Sequence, residues 1–168
     1  MVGSCRKAAM TACLAGALLL LCFPLLAFAE STDRAVNDAI RARVETVQSG
    51  SDLVIQGATV ASTTVLPALY QRRDFAPIWT NPSAIKQLFD AVRNIDEDGL
   101  DPEDYHLATL GKLQTEVGSE ASVNPARRAD LDVLLTDSLV RLGYHLLIGK
   151  VDPVELDGNW NVNRTING

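Results

Sequence analysis

The chain has 168 residues, a formal net charge of −6 and three cysteines. That length accommodates about one domain with a core of its own. Its acidic residues are spread along the chain and read as a solvated surface. The balance excludes the clustered basic face that a nucleic-acid binder needs.

The first 29 residues have the three parts of a secretory signal. Arg6 and Lys7 form the positive start, an apolar stretch runs from Ala8 to about Leu26, and Pro24 is expected to break helical structure. Ala27-Phe28-Ala29 then supplies a small-x-small site, which predicts cleavage after Ala29. An uncleaved membrane anchor is the competing reading, because the apolar run nearly suffices to span a bilayer. A lipoprotein site fits less well, since leucines precede Cys22 where small residues are wanted. Cleavage leaves 139 residues and moves the charge to −8, because Arg6 and Lys7 leave and no carboxylate goes with them. Cys5, Cys13 and Cys22 all leave as well. The exported chain then has no disulfide, no thiolate metal ligand and no cysteine nucleophile.

Beyond the signal the pattern is helical. Val36, Ile40, Val44 and Val47 recur at three- and four-residue steps, predicting a helix from Ser31 to about Gln48. Ser31, Thr32 or Asp33 is expected to cap it and Gly50 to close it. Asp52 to Thr64 reads as a loop or linker, with Leu53-Val54-Ile55 as a short strand in the alternative. A second helix is expected from Leu66 to about Arg73, followed by an extended segment, Asp74 to Thr80, packed through Phe75, Ile78 and Trp79.

Asn81-Pro82-Ser83 starts a further helix with the apolar stripe Ile85, Leu88, Phe89, Val92 and Ile95, stopped at Gly99. Asp101-Pro102 opens a helical turn, and a helix follows from Leu107 to Val117. Gly118 to Val123 reads as a surface loop. Asn124-Pro125 opens the longest helix, to about Ile148. Leu131, Leu134, Leu135, Leu139, Leu142 and Leu146 line one of its faces, and Val133, Val140 and Leu147 lie on another. A helix apolar over most of its circumference belongs at the centre of a bundle. Gly149 ends it and Asp152-Pro153 begins a short element. The predicted class is all-α, a helical bundle-like scaffold, with residues 30–64 as N-terminal helix and linker and 65–168 as the main domain. Asn159 to Gly168 has little apolar content and no helix stop, so the bundle is expected to be incomplete at its C-terminus.

Candidate chemistry is sparse. Asn94 to Gly99 imitates the opening of a calcium loop, but Tyr105 falls where a bidentate Glu is required, so a charged helix end is the better reading. His106 and His145 have no third ligand at metal spacing and no serine nucleophile in a recognisable turn, and both read as structural. Asp130, Asp132, Asp137 and Glu155 are the carboxylates available for glycoside hydrolysis. Asp137, however, stands four residues before Arg141, the spacing of a surface ion pair, and nothing marks any of the four as desolvated. Tyr70 and Trp79 are of the type that stacks on sugar rings, but they read as core. No catalytic residue, cofactor or metal site is assigned.

Four segments carry a resemblance in their order and spacing. They are Leu66-Pro67-Ala68-Leu69-Tyr70-Gln71-Arg72-Arg73-Asp74-Phe75-Ala76-Pro77-Ile78-Trp79, then Asp98-Gly99-Leu100-Asp101-Pro102-Glu103-Asp104-Tyr105-His106. Leu131-Asp132-Val133-Leu134-Leu135-Thr136-Asp137 and Gly149-Lys150-Val151-Asp152-Pro153 follow. Together, over about Leu66 to Trp160, they resemble the scaffold domain of the large Gram-negative murein L,D-transpeptidases. The resemblance implies a periplasmic protein of peptidoglycan cross-linking and cell-wall organisation. In that family a separate catalytic domain, with a cysteine in a Ser-His-Gly-Cys type motif, makes 3→3 cross-links through a thioester. This chain has no Ser-His-Gly-Cys. The implied role is therefore a non-catalytic scaffold segment, the front portion of a longer protein. Its implied partners are peptidoglycan or a catalytic domain, and membrane contact comes only through the signal before cleavage. Two alternatives remain: a stand-alone periplasmic binding or regulatory module, and a small glycan hydrolase using carboxylates. An incomplete bundle is also expected to expose the leucine face of Leu131 to Leu146 and to fold marginally.

Overall fold

Four valines and isoleucines at helical spacing set the first element. The computed structural model describes residues 23–119 and 124–150, with side chains from Thr32 onward. Helix α1 spans Phe23–Gln48 and buries Val36, Ile40, Val44 and Val47. It begins upstream of the expected start, so Ser31, Thr32 and Asp33 lie inside it and none caps it. Pro24 stands in its first turn, where proline is tolerated because that amide has no helical acceptor in any case. The helix is unbroken across the Ala29–Glu30 junction. Gly50, at φ 77°, closes it with an N–H to the Val47 carbonyl.

The expected linker is a folded hairpin. Strand β1, Val54–Ile55, pairs antiparallel with β2, Ala58–Thr59, with Val54 opposite Thr59 and Ile55 opposite Ala58. Gln56 and Gly57 form the turn, both at positive φ (48° and 88°), the backbone a tight two-residue hairpin requires. Ile55, Ala58 and Val60 turn inward and join the core.

Helix α2, Val65–Gln71, buries Leu66 and Tyr70. The segment after it is not extended at its start: Asp74 and Phe75 adopt left-handed backbone (φ 51° and 61°), and the Phe75 N–H returns to the Tyr70 carbonyl. This reversal carries Ile78 and Trp79 back against the helix Pro125–Ile148. Helix α3, Pro82–Arg93, is capped by Asn81, whose side chain accepts from the Ser83 amide at 2.9 Å. It buries Ile85, Leu88, Phe89 and Val92. Ile95 belongs to a separate 3₁₀ turn, Ile95–Asp98, and Gly99 at φ 75° ends that turn rather than α3. A second 3₁₀ turn, Pro102–Tyr105, is capped by Asp101 and leads through His106, at φ 63°, into α4, Leu107–Ser119.

Helix α5, Pro125–Ile148, opens on Asn124, which accepts from the Ala126 and Arg127 amides; at 24 residues it is not the longest helix as expected, because α1 starts upstream of Ser31 and reaches 26. Its most extensive packing is against α1 and then α4. One continuous core, from Val36 in α1 to Leu142 in α5, crosses residue 64 without dividing there. Residues 131–138 of α5 are all buried, as a central helix requires. The expected leucine face holds only in part: Leu131, Leu134, Leu135 and Leu142 are buried, whereas Leu139 and Leu146 are exposed. No described helix is long and apolar enough to cross a membrane. The expectations for residues 1–22, 120–123 and 151–168 lie outside the described residues. Among those described, the architecture is all-α apart from the hairpin.

Candidate functional site

The polar residues of α5 that fall within its buried stretch form the most connected arrangement among the described residues. Asp132 is fully buried. Its Oδ1 accepts from the Tyr70 hydroxyl at 2.8 Å and the Ile78 amide at 2.9 Å, and its Oδ2 accepts from the Trp79 amide at 3.0 Å. One turn on, the Thr136 Oγ1 accepts from the Trp79 indole N–H at 3.0 Å and lies 2.9 Å from the Tyr70 hydroxyl. Arg128 donates to the Trp79 carbonyl. Tyr70 and Trp79 are therefore core residues whose polar tips are satisfied inside, as buried Tyr and Trp require.

Asp137 repeats the device toward other elements. Its Oδ1 accepts from the Ala61 and Ser62 amides at 3.0 and 2.7 Å, and its Oδ2 lies 2.9 Å from the His106 Nε2. Arg141 approaches to 4.0 Å of the carboxylate. Ser138 donates to the Tyr105 carbonyl at 2.7 Å. The surface ion pair expected for Asp137 is thus a buried hub with no exposed area, and Asp132 is buried to the same degree. Both corrections have one cause: the helix is enclosed all round at these turns, so its polar side chains face protein whichever way they point. The sequence does carry a clue, since polar residues inside an almost wholly apolar helix are enclosed with it.

Burial pushes the Asp137 carboxyl up, but the hydrogen bonds from His106 and Ser62 outweigh it and hold the group below the usual carboxylate range. Burial, reinforced by the Asp132 charge, raises the Tyr70 phenol far above its ordinary value, so it remains a neutral donor. His145 is placed apart from this cluster. Its Nδ1 lies 2.9 Å from the Tyr105 hydroxyl, and burial together with the Arg141 charge lowers its pKa.

Of the remaining candidates, Asp130 is partly exposed and clamps Arg43 at 2.9 Å, tying α5 to α1, and Glu155 lies outside the described residues. Asn94 and the carboxylates of Asp96, Glu97 and Asp98 are exposed on the first 3₁₀ turn. His106 faces a carboxylate that is already holding two backbone amides, and no hydrogen bond joins it to a serine hydroxyl among the described residues. A groove of about 340 Å³ lies between α1, the hairpin and α5, lined in part by Arg43, Gln56, Arg127 and Asp130. A second, of about 320 Å³, lies between α3 and α4 beside Lys86, Asp90 and Arg93. Asp132, Thr136, Asp137 and His106 line neither.

What this geometry does is hold backbone. Asp132 and Thr136 fasten the segment from Tyr70 to Trp79, Asp137 fastens the strand exit at Ala61–Ser62 together with His106, and Ser138 fastens Tyr105. Three of the four segments that carry the resemblance are thereby joined to one another. Fold and network define the class: an all-α scaffold organised around one buried helix.

The chain belongs to the Scaffold domain family, whose model matches residues 64–166, more than half of its length. The match agrees with the resemblance to the scaffold domain of the L,D-transpeptidases. No curated protein and no solved structure matches the chain.

Proposed function

We propose that the chain is a non-catalytic scaffold segment of a periplasmic L,D-transpeptidase, acting in peptidoglycan cross-linking and cell-wall organisation. One observation carries the reading. The polar side chains on the buried turns of α5 are taken up in holding neighbouring segments, and the best-buried carboxylates line neither groove. General acid–base work needs a group within reach of a substrate proton, and these groups face protein amides instead. The acyl-transfer chemistry of the resembled family needs a thiolate, and the only cysteines are at positions 5, 13 and 22. In this proposal the signal is cleaved after Ala29, the chain works in the periplasm, and its partners are peptidoglycan strands or a catalytic domain that it positions.

The test is an assay of the purified, processed chain on stem-peptide substrates, paired with co-sedimentation on purified sacculi. The expected result is no 3→3 cross-linked product. Cross-linking by a preparation free of other enzymes would overturn the reading. Mass spectrometry of the mature N-terminus checks export separately, and a start at Glu30 is expected.

A further inference from the structure

The hairpin leaves one edge of its small sheet open. The Val60 N–H donates to the Leu53 carbonyl at 2.9 Å, which makes Leu53 and Val60 a hydrogen-bonded pair. Such pairs alternate along an antiparallel ladder, so Val54 and Thr59, the next pair in, are not bonded to each other. The Val54 N–H and C=O therefore point away from β2, and neither takes a partner among the described residues. The Val54 side chain is 54 % exposed, whereas its neighbour Ile55 is buried.

The groove of about 340 Å³ runs along this edge, with Leu53, Val54 and Ile55 all lining it. Side chains alternate between the two faces of a strand, so three consecutive lining residues place the groove beside the edge and not over a face. Another wall carries Arg43 and Arg127 against the single carboxylate of Asp130. Arg43 is fully engaged: it donates to Asp130 at 2.9 Å and to the Ala39 and Ala126 carbonyls. Arg127 differs. Oxygens of Glu116 and Asp130 lie 3.5 and 3.9 Å from its guanidinium, beyond ordinary hydrogen-bond distances, and its side chain is 41 % exposed. An open strand edge and a guanidinium with donors to spare thus meet in one groove.

We propose that this groove binds the C-terminal end of an extended peptide. One residue of the peptide pairs with Val54 as an added strand, and Arg127 takes the terminal carboxylate through its planar fork of N–H donors. The edge offers a donor and an acceptor at backbone spacing, which an extended chain matches. Two arginines against one aspartate favour an anionic group on the wall beside it. The volume stands at the small end of ligand sites and suits a chain end better than a strand running through. The proposal does not rest on the transpeptidase reading and can fail without it.

The probe is N-acetyl-Ala-Val-Ala with a free carboxylate, titrated into the isotope-labelled, purified chain while NMR follows solvent exchange of the Val54 amide. That amide is expected to exchange freely in the chain alone and several-fold more slowly at saturating peptide. The same peptide with an amidated C-terminus should bind several-fold more weakly, and Arg127→Gln should erase that preference with the circular dichroism spectrum unchanged. No slowing at Val54 would overturn the proposal, as would equal binding of acid and amide. Equal binding of N-acetyl-Ala-Glu-Ala amide would assign the arginine to a side-chain carboxylate and overturn it as well. Protection of Val54 without peptide would also overturn it: growth with protein concentration would give the edge to a second copy, and protection at every concentration would show the edge already covered. Should Arg127→Gln unfold, the comparison of acid with amide on the unaltered chain decides alone.

Discussion

Asp132 and Asp137 lie five residues apart on one helix and perform the same task for two different stretches of backbone. Asp132→Ala would leave the Tyr70 hydroxyl and the Ile78 and Trp79 amides without that acceptor in an apolar interior. At about 1–3 kcal/mol for each orphaned group, a loss of roughly 3–5 kcal/mol is expected, a large share of a single domain's stability. Urea denaturation at neutral pH measures it, and a loss below about 1 kcal/mol would show that the network contributes little. The same residues set the pH range of the fold. The Asp137 carboxyl titrates lower folded than unfolded, so its contribution is complete above about pH 4 and is lost as pH falls through the depressed folded value. The stability difference between the natural chain and Asp137→Asn should therefore shrink on acidification. Tyr70 runs the opposite way: its phenol titrates higher folded than unfolded, so its stabilisation is present below about pH 10 and fades above it. Tyr70→Phe should flatten that alkaline limb in a thermal-melt series. At this scale the sequence was least legible. Carboxylates are so rarely enclosed that a surface reading is the natural one, and the partners of Asp132 and Asp137 lie 31 to 76 residues away along the chain.

Element boundaries were much more open to reading, because helix starts are chemistry local to three or four residues. Asn81, Asp101 and Asn124 each precede a proline and each accepts from a backbone amide, as their order in the sequence indicates. Asn124→Ala is expected to cost about 1 kcal/mol, measured as a lower denaturation midpoint, because its side chain satisfies two amides at the start of the central helix α5. Two local features escaped. The hairpin at residues 54–59 has two-residue strands, too short for alternation to stand out from a loop. The left-handed turn at Asp74–Phe75 has no glycine to announce it and is held instead by the anchoring of Tyr70 and Trp79 to α5.

For the whole molecule, the part matched by the family and the part that shares its core are not the same. The match begins at residue 64, yet Ile40 and Val44 of α1 are almost wholly buried, and Arg43 is clamped by Asp130 of α5. A chain beginning at residue 64 should therefore lose cooperative unfolding, which circular dichroism on heating will show beside the chain beginning at Glu30. A sharp transition retained without α1 would mean that the helix is an accessory. Within the full chain, Ile40→Ala should cost about 2–5 kcal/mol, the range for emptying a fully enclosed site.

What the linear order of residues determined unaided was the helical class, the caps at Asn81, Asp101 and Asn124, the central place of α5 and the family. The first three follow from periodicity and from contacts between near neighbours, and the family from the resemblance that four ordered segments carry. The enclosure of Asp132 and Asp137, the folded hairpin in place of a linker, and the sharing of one core between α1 and the family domain were decided only in three dimensions. Each depends on which distant segments arrive at one helix, and a buried carboxylate is tolerable only once the amides that satisfy it are in place.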